Sequence, residues 1–262
     1  MEKRPDQPDA QDGGGIAALY DRYFHVLPAD TPELLDAAHA LRYQVYCVEH
    51  AFEDPAQQIG ERERDSYDGH SVHAVLIAKS TERVVGCVRL ILPVEGGAGG
   101  LPIRDFLGDA DRARLDKFDP GCTAEISRYA ISKQYRRRQG ESFYPDVDFG
   151  DLPPTELRRL VPHMSLGLIQ GVARVASSHG ITTVCAAMAP PLLRLLEQLG
   201  LDFERLGPLI ECHGLRQPCV AKCEQLLAGM AGRNPDYYRV VANAYRATPP
   251  LFNPATKPSR KN

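Results

Sequence analysis

No apolar run in the 262-residue sequence approaches the ~20 residues needed to cross a bilayer. The first fifteen residues, MEKRPDQPDAQDGGG, lack the apolar centre of a secretory signal and read as a disordered leader. Both absences point to a cytoplasmic chain. A formal net charge of -3 supplies no basic excess for a nucleic-acid partner. The seven cysteines are odd in number and scattered through predicted strands and helices, which argues for reduced thiols rather than a disulfide framework. Cys212, His213, Cys219 and Cys223 fit no compact zinc pattern, so no metal site is expected. No repeat of solenoid length is present. What is there is ordinary for a globular domain: 43% hydrophobic and 25% charged residues, at a length that permits a packed core.

Folded structure is expected from Ile16, with Tyr23–Leu27 as a first strand. Thr31 followed by Pro32 is a helix start, a capping hydroxyl before a proline in the first turn. Leu34, Ala38, Leu41, Val45 and Val48 then recur at helical spacing as one inward stripe. Arg42 and Tyr46, one turn apart, border that stripe without belonging to it. Glu49–Ser71 is a long polar connection of the kind that forms lids or binding loops. Val72–Ala78 and Val84–Leu92, joined by Lys79–Arg83, read as an antiparallel hairpin. Its strands are apolar on both faces and should be central, with Arg89 among Val85, Cys87 and Ile91.

A short helix over Ala110–Lys117 and a strand over Thr123–Ser132 follow. A helix over Pro162–His179 turns Leu166, Ile169, Val172, Val175 and Ala176 inward and stops at Gly180. Thr182–Met188 is a buried strand and Pro190–Leu199 a helix. Leu209–His213 and Cys219–Lys222 are candidate closing strands, and the remainder ends in a loose basic tail. This order predicts an α/β fold, a mixed sheet covered by helices. The domain is placed at residues 16–247, with an inserted loop at 139–156 and a tail at 248–262.

Charge stands out where it interrupts apolar pattern. LRYQVYCVEHAFE contains Arg42, Tyr46, Glu49 and Phe52; RERDSYDGH contains Asp65 and Asp68; VVGCVRLILP contains Arg89; EISRYAISKQYRRR contains Glu125 and Arg128. Arg42 also reads as a solvated helix residue, and the two aspartates as caps or solubilising charges. Arg89, Glu125 and Arg128 lie on covered strand faces, where an unpaired charge costs several kcal/mol. A structural ion-pair network is one explanation and a reaction site another. The odd spacing of Glu125 and Arg128 would send them to opposite faces of a regular strand. A bulge between them would bring both to one side, open the sheet locally and free backbone N–H groups.

The ordered set Arg42-x-x-x-Tyr46, Phe52, Asp65-x-x-Asp68, Arg89 and Glu125-x-x-Arg128 resembles the signature of the acyl-homoserine-lactone (autoinducer) synthases, across Leu41 to about Ser132. Beyond it, YFHVLPAD, YAISKQYRRR, AMAPPLLRLLEQLGLDF and LGPLIECHGLRQPC resemble the acyltransferases associated with the PEP-CTERM/exosortase system, over Tyr23 to about Cys223. The first resemblance, shared with the N-acyl amino acid synthases, implies an N-acetyltransferase (GNAT) fold with splayed central strands. It also implies an acyl-phosphopantetheine thioester as donor, on acyl-carrier protein or as acyl-CoA, and no tightly bound cofactor. The synthases carry phenylalanine and tryptophan where this chain has Tyr46 and Phe52, and it has no tryptophan at all. Those aromatics help form their S-adenosylmethionine side, so a different small amine acceptor is favoured.

On that resemblance Glu125 is the candidate base and Arg128 its catalytic neighbour, with oxyanion donors in the backbone between them. Arg42, Tyr46, Phe52, Asp65, Asp68 and Arg89 are assigned to acceptor binding, with arginine as a clamp for an acceptor carboxylate. RRRQGES is similar to a pyrophosphate loop, and Arg136, Arg137, Arg138 and Gly140 are assigned to pantetheine or the acidic face of acyl-carrier protein. A solvated basic patch is the plain alternative. The function expected is N-acyl transfer to an amino-acid-like amine; a true autoinducer synthase and a non-catalytic carrier-docking module are the rivals.

Overall fold

The computed structural model describes residues 16–94, 100–133 and 164–247. Helix α1 (Ile16–Tyr23) leads into β1 (Phe24–Pro28), and α2 spans Pro32–Arg42. The predicted start of α2 is present: Thr31 Oγ1 accepts the Leu34 N–H at 3.3 Å, and Pro32 occupies the first turn. The helix then widens into a π-turn, Tyr43–Glu49, a distortion that proteins favour near functional sites. That widening rotates Val48 outward, so it is 56% exposed rather than inward. Arg42, expected at the border of the buried face, is fully buried. Its own side-chain partners, described below, make that burial possible.

The hairpin is β2 (Ser71–Ala78) with β3 (Arg83–Ile91), antiparallel as expected. Its register slips between Leu76 and Ile77, opposite Gly86 and Val84. The slip throws Val85 away from Arg89 and into the opposite core. After α3 (Asp109–Leu115) comes β4 (Thr123–Ile131). Next are α4 (Met164–Ser178), β5 (Thr183–Met188) and α5 (Pro190–Gln198). Short β6 (Glu204–Arg205) and β7 (Ile210–Glu211) precede β8 (Leu215–Lys222). Two helices follow, α6 (Cys223–Arg233) and α7 (Pro235–Ala247), inside the domain bounds expected but in a stretch for which sequence periodicity named no element. The strand order is β1-β2-β3-β4-β5-β8-β6, with β7 on β8.

Apolar side chains pack on both faces of the sheet. On one side α4 lies so close that a Cβ at Gly171 would fall 2.8 Å from that of Ala74, and the apolar faces of β1–β3 pack there. On the other side α2 covers Val75, Ile77, Cys87 and Ala130. All pairings are antiparallel except β4 with β5. That exception is short: Thr123, Ala124 and Glu125 pair with Thr183, Val184 and Cys185, and no ladder joins the two strands beyond. The sheet is therefore split down its middle from Ile126 onward. No helix among the described residues is long and apolar enough to cross a membrane.

Candidate active site

The split has a local cause. Cys87 pairs with Ala130 but Arg89 pairs with Ser127, so Arg128 and Tyr129 together face one residue of β3. The bulge expected between Glu125 and Arg128 lies at Arg128 and Tyr129, and Arg128 takes φ +49 to form it. The left-handed conformation is strained for a residue with a Cβ, and here the Arg128 side chain is held from several sides. Its Nε and Nη2 donate to Glu63, and Nη2 also meets Glu53 and Asp65, both at 3.1 Å. The bulge places Arg128 on the same face as Arg89 and Ser127, three residues along the strand from Glu125.

On that face three arginines from three elements share four carboxylates. Arg42, ending α2, donates to Glu63 at 2.5 Å and spans both oxygens of Asp68 at 2.6 and 3.0 Å. Arg89 spans both oxygens of Asp65, at 2.6 and 2.9 Å, reaches Asp68 at 2.9 Å, and donates through Nε to Ser127. Asp65 and Asp68 are at once caps and ion-pair partners: they form a reciprocal capping box on the 3-10 turn Ser66–His70. Their dull and functional readings are one arrangement, because the cap fixes the carboxylates that the arginines need.

Burial would raise the Glu63 carboxyl, but hydrogen bonds and charge from Arg128 and Arg42 hold it at about 2. Asp68 is likewise pushed far below the usual carboxylate range, burial being outweighed by bonds from His73 and Arg42. Burial opposes the charge on Arg42 and Arg128, yet their carboxylates keep both firmly protonated. Desolvation, helped by the charge of Arg42, lowers His39 to about 4 and keeps it neutral.

The gap between β4 and β5 is a cavity of about 1130 Å³, open mouth included. Ile126, Tyr129, Val184, Ala186 and Met188 line its strand walls, while Ile169, Val172 and Ala173 of α4 supply another. Leu192, Leu196, Leu226, Leu227 and Val241, from α5, α6 and α7, extend the apolar lining. The unforeseen C-terminal helices thus help build the site. Tyr46, Ser127, Arg128 and Arg216 are its polar wall. Arg128 stands over the Tyr46 ring at 5.0 Å, and Phe52 lies 6.4 Å from Tyr46 and stacks with the rings of His50 and His213.

Glu125 sits where the strands part, paired with Ile91 on one side and Cys185 on the other. It is buried, and its Oε2 accepts the Ile103 N–H at 2.8 Å. Desolvation dominates and pushes its carboxyl up to about 8, against the Ile103 bond and Arg89 and with Asp105. It lies at the apex of the gap, not among the residues lining the cavity.

All eight predicted residues with described coordinates therefore meet in one region, but not in equal roles. Arg42 and Arg89 are buried and saturated by carboxylates, so neither is a free clamp for a substrate carboxylate. Arg136, Arg137, Arg138 and Gly140, with the 139–156 loop, lie outside the described residues. Sequence reasoning missed Glu63, the carboxylate shared by Arg42 and Arg128. It also missed Glu53, His39, His73 and Ser127. For Glu63 a signal existed, three buried arginines needing more than two aspartates. His39, Asp68 and His73 could together offer ligand atoms to a metal. Arg42 Nη1 already stands 2.6 Å from Asp68 and 3.0 Å from His73 Nε2, so a cation would have to displace that guanidinium.

Comparison with known proteins agrees with this geometry. Residues 41–144 match the family model of the acetyltransferase (GNAT) domain. No curated protein matches the chain. Among solved structures, the acyl-homoserine-lactone synthase LasI is 19% identical, aligned over 88% of this chain and 98% of its own, with a TM-score of 0.53. TofI, solved in a ternary complex with an inhibitor and MTA, is 16% identical over 81% of this chain and 99% of its own, with a TM-score of 0.55. The CoA-dependent synthase BjaI, solved with MTA, is 21% identical over 80% of this chain and 88% of its own, at 0.53. The mixed sheet, its parted central strands and its covering helices are the fold of the GNAT acetyltransferases.

Proposed function

We propose that this protein is an N-acyltransferase that moves a fatty acyl chain from a pantetheine thioester to the amine of an amino-acid-like acceptor. One observation carries the reading: an apolar cavity between β4 and β5 opens onto a polar wall of Tyr46, Ser127 and Arg128. A chain of methylenes gains about 0.8 kcal/mol for each group it buries, and the lining offers few polar partners to any other ligand. The strand edges facing each other across the gap have no ladder partner beyond Glu125 and Cys185. Their backbone groups suit the amides of a pantetheine arm and the oxyanion of its thioester. The donor is acyl-carrier protein or acyl-CoA, with Arg136–Arg138 and Gly140 as its contact by resemblance in sequence alone. Association with the exosortase system rests on resemblance in the same way.

In the reaction the acceptor nitrogen attacks the thioester carbonyl and a C–N bond forms. The nitrogen's proton passes through water to Glu125, the C–S bond breaks, and that proton is returned through water to the departing thiolate, leaving Glu125 ionised again. Glu125 must be ionised to accept that proton, and its surroundings place this change near pH 8. The buried ion-pair network ties Arg128, which lines the cavity beside Tyr46, to Glu53, Glu63 and Asp65.

Ala173 tests the assignment of the cavity. Ala173→Phe should shorten the acyl chain accepted; excluding about two methylenes lowers kcat/KM for long donors about 15-fold and spares short ones. Equal losses for octanoyl and hexadecanoyl donors would place the acyl chain elsewhere. A second reading, an autoinducer synthase consuming S-adenosylmethionine, is favoured by the shared fold with LasI and TofI. Release of 5′-methylthioadenosine during turnover would establish it over the first.

A further inference from the structure

An amino-acid-like acceptor brings a carboxylate as well as an amine, and the three arginines of the network are already committed. Arg42 is held by Glu63 and Asp68, Arg89 by Asp65 and Asp68, and Arg128 by Glu53, Glu63 and Asp65. An incoming carboxylate would have to displace one of these acids and leave it buried without its counter-charge, which is strongly unfavourable.

Arg216 differs. It is the second residue of β8, opposite Ile210 of β7, and it lines the same cavity as Tyr46, Ser127 and Arg128. It makes no ion pair among the described residues. Its Nη1 donates to the carbonyl of Leu215, its own neighbour, at 3.1 Å. The nearby acids are otherwise engaged: Glu211 accepts from Gly214 N and Glu53 from Arg128. The guanidinium is nonetheless positioned, with its Cζ 5.9 Å from the centroid of Phe52, a ring itself stacked with His50 and His213. A planar fork braced on an aromatic wall presents paired N–H donors, the geometry that matches a carboxylate.

We propose that Arg216 is the residue that recognises the acceptor's carboxylate, selecting amino acids over simple amines. This rests on the acyltransferase reading for the site it serves. The acyl chain lies in the apolar part of the cavity, the reacting amine faces Ser127 and Arg128, and the carboxylate points back toward β8. Phe52 then acts through Arg216 as a positioning residue, and the His213 tip of the β7–β8 hairpin keeps that ring in place.

The test uses the full chain and two probes that share an acyl tail, N-dodecanoylglycine and N-dodecanoylglycinamide, with affinities measured by calorimetry. The wild-type protein should prefer the carboxylate by about tenfold or more. Arg216→Gln should reduce that preference to near unity while leaving affinity for the amide unchanged, and Arg216→Lys should keep part of it. Equal binding of both probes by wild type, no binding of either, or a preference that survives Arg216→Gln overturns the proposal. So does a variant that loses affinity for 4′-phosphopantetheine but keeps the carboxylate preference, since the arginine would then serve the donor. Carboxylate-selective binding without any acyl transfer keeps this assignment and instead defeats the acyltransferase reading.

Discussion

Glu63→Gln is expected to destabilise the fold by about 3–5 kcal/mol, the cost of breaking a buried ion pair by removing one partner. Glu63 is fully buried and is the carboxylate that Arg42 and Arg128 share. Glutamine keeps the shape but removes the charge, leaving two guanidiniums with Asp65, Asp68 and Glu53 alone. Arg128 is also the strained residue of the β4 bulge, so its loosening should relax the gap. The pH dependence has a definite sign. Glu63 titrates at about 2 in the fold against an ordinary value of 4.5. Its stabilisation is complete above about pH 4.5 and is lost as pH falls toward 2. Urea unfolding from pH 7 to 2 should show that portion of the acid sensitivity missing in the variant. A loss under about 1 kcal/mol at pH 7, with an unaltered acid limb, would show that the network does not hold the site together.

Glu125→Gln should lower turnover by about 10²–10⁴-fold, the usual contribution of a positioned proton acceptor. The same substitution should leave the protein as stable as wild type or more so at pH 8, because the two effects have different origins. The carboxyl is raised to about 8 by burial, so the fold favours its neutral form. Wild-type stability from this group is full below about pH 4.5 and declines as pH rises to 8, because the unfolded chain ionises first. Glutamine is neutral throughout and keeps the Ile103 N–H acceptor. The pH profile of wild-type kcat/KM should rise with an apparent pKa near 8, and that limb should vanish in the variant. Undiminished turnover would remove Glu125 from the reaction; loss of turnover together with a lower Tm at pH 8 would make its role structural.

Element existence was legible because hydrophobic periodicity reports it: the hairpin, β4, α4, β5 and α5 all fall within a few residues of their expected bounds. The β4 bulge was legible for a different reason. Charges three apart on a covered strand have no regular solution, and the structure resolves them with the two-residue bulge at Arg128 and Tyr129. Arg42 shows where periodicity stops. A polar residue beside an apolar stripe reads as a border position, and only its partners across the loop, Glu63 and Asp68, allow it to be buried. Those partners lie more than twenty residues away, beyond any helical period.

Arg216 was harder still. It lies inside the sequence CHGLRQP at a strand start, with no apolar frame to make its charge conspicuous; in three dimensions it lines the cavity's polar wall and makes no ion pair among the described residues. The last two helices were obscured by their mixed composition. Val240, Val241 and Met230 are nevertheless buried in the main core, and Leu226, Leu227 and Val241 reach the cavity.

The reaction itself can be observed directly. The 262-residue chain incubated with dodecanoyl-acyl-carrier protein and a pool of free amino acids, followed by mass spectrometry, should yield an N-dodecanoyl amino acid. That product should be absent with Glu125→Gln and should form without S-adenosylmethionine. Only free dodecanoic acid, or no change in the donor with any amine, would contradict acyl transfer at the parted strands.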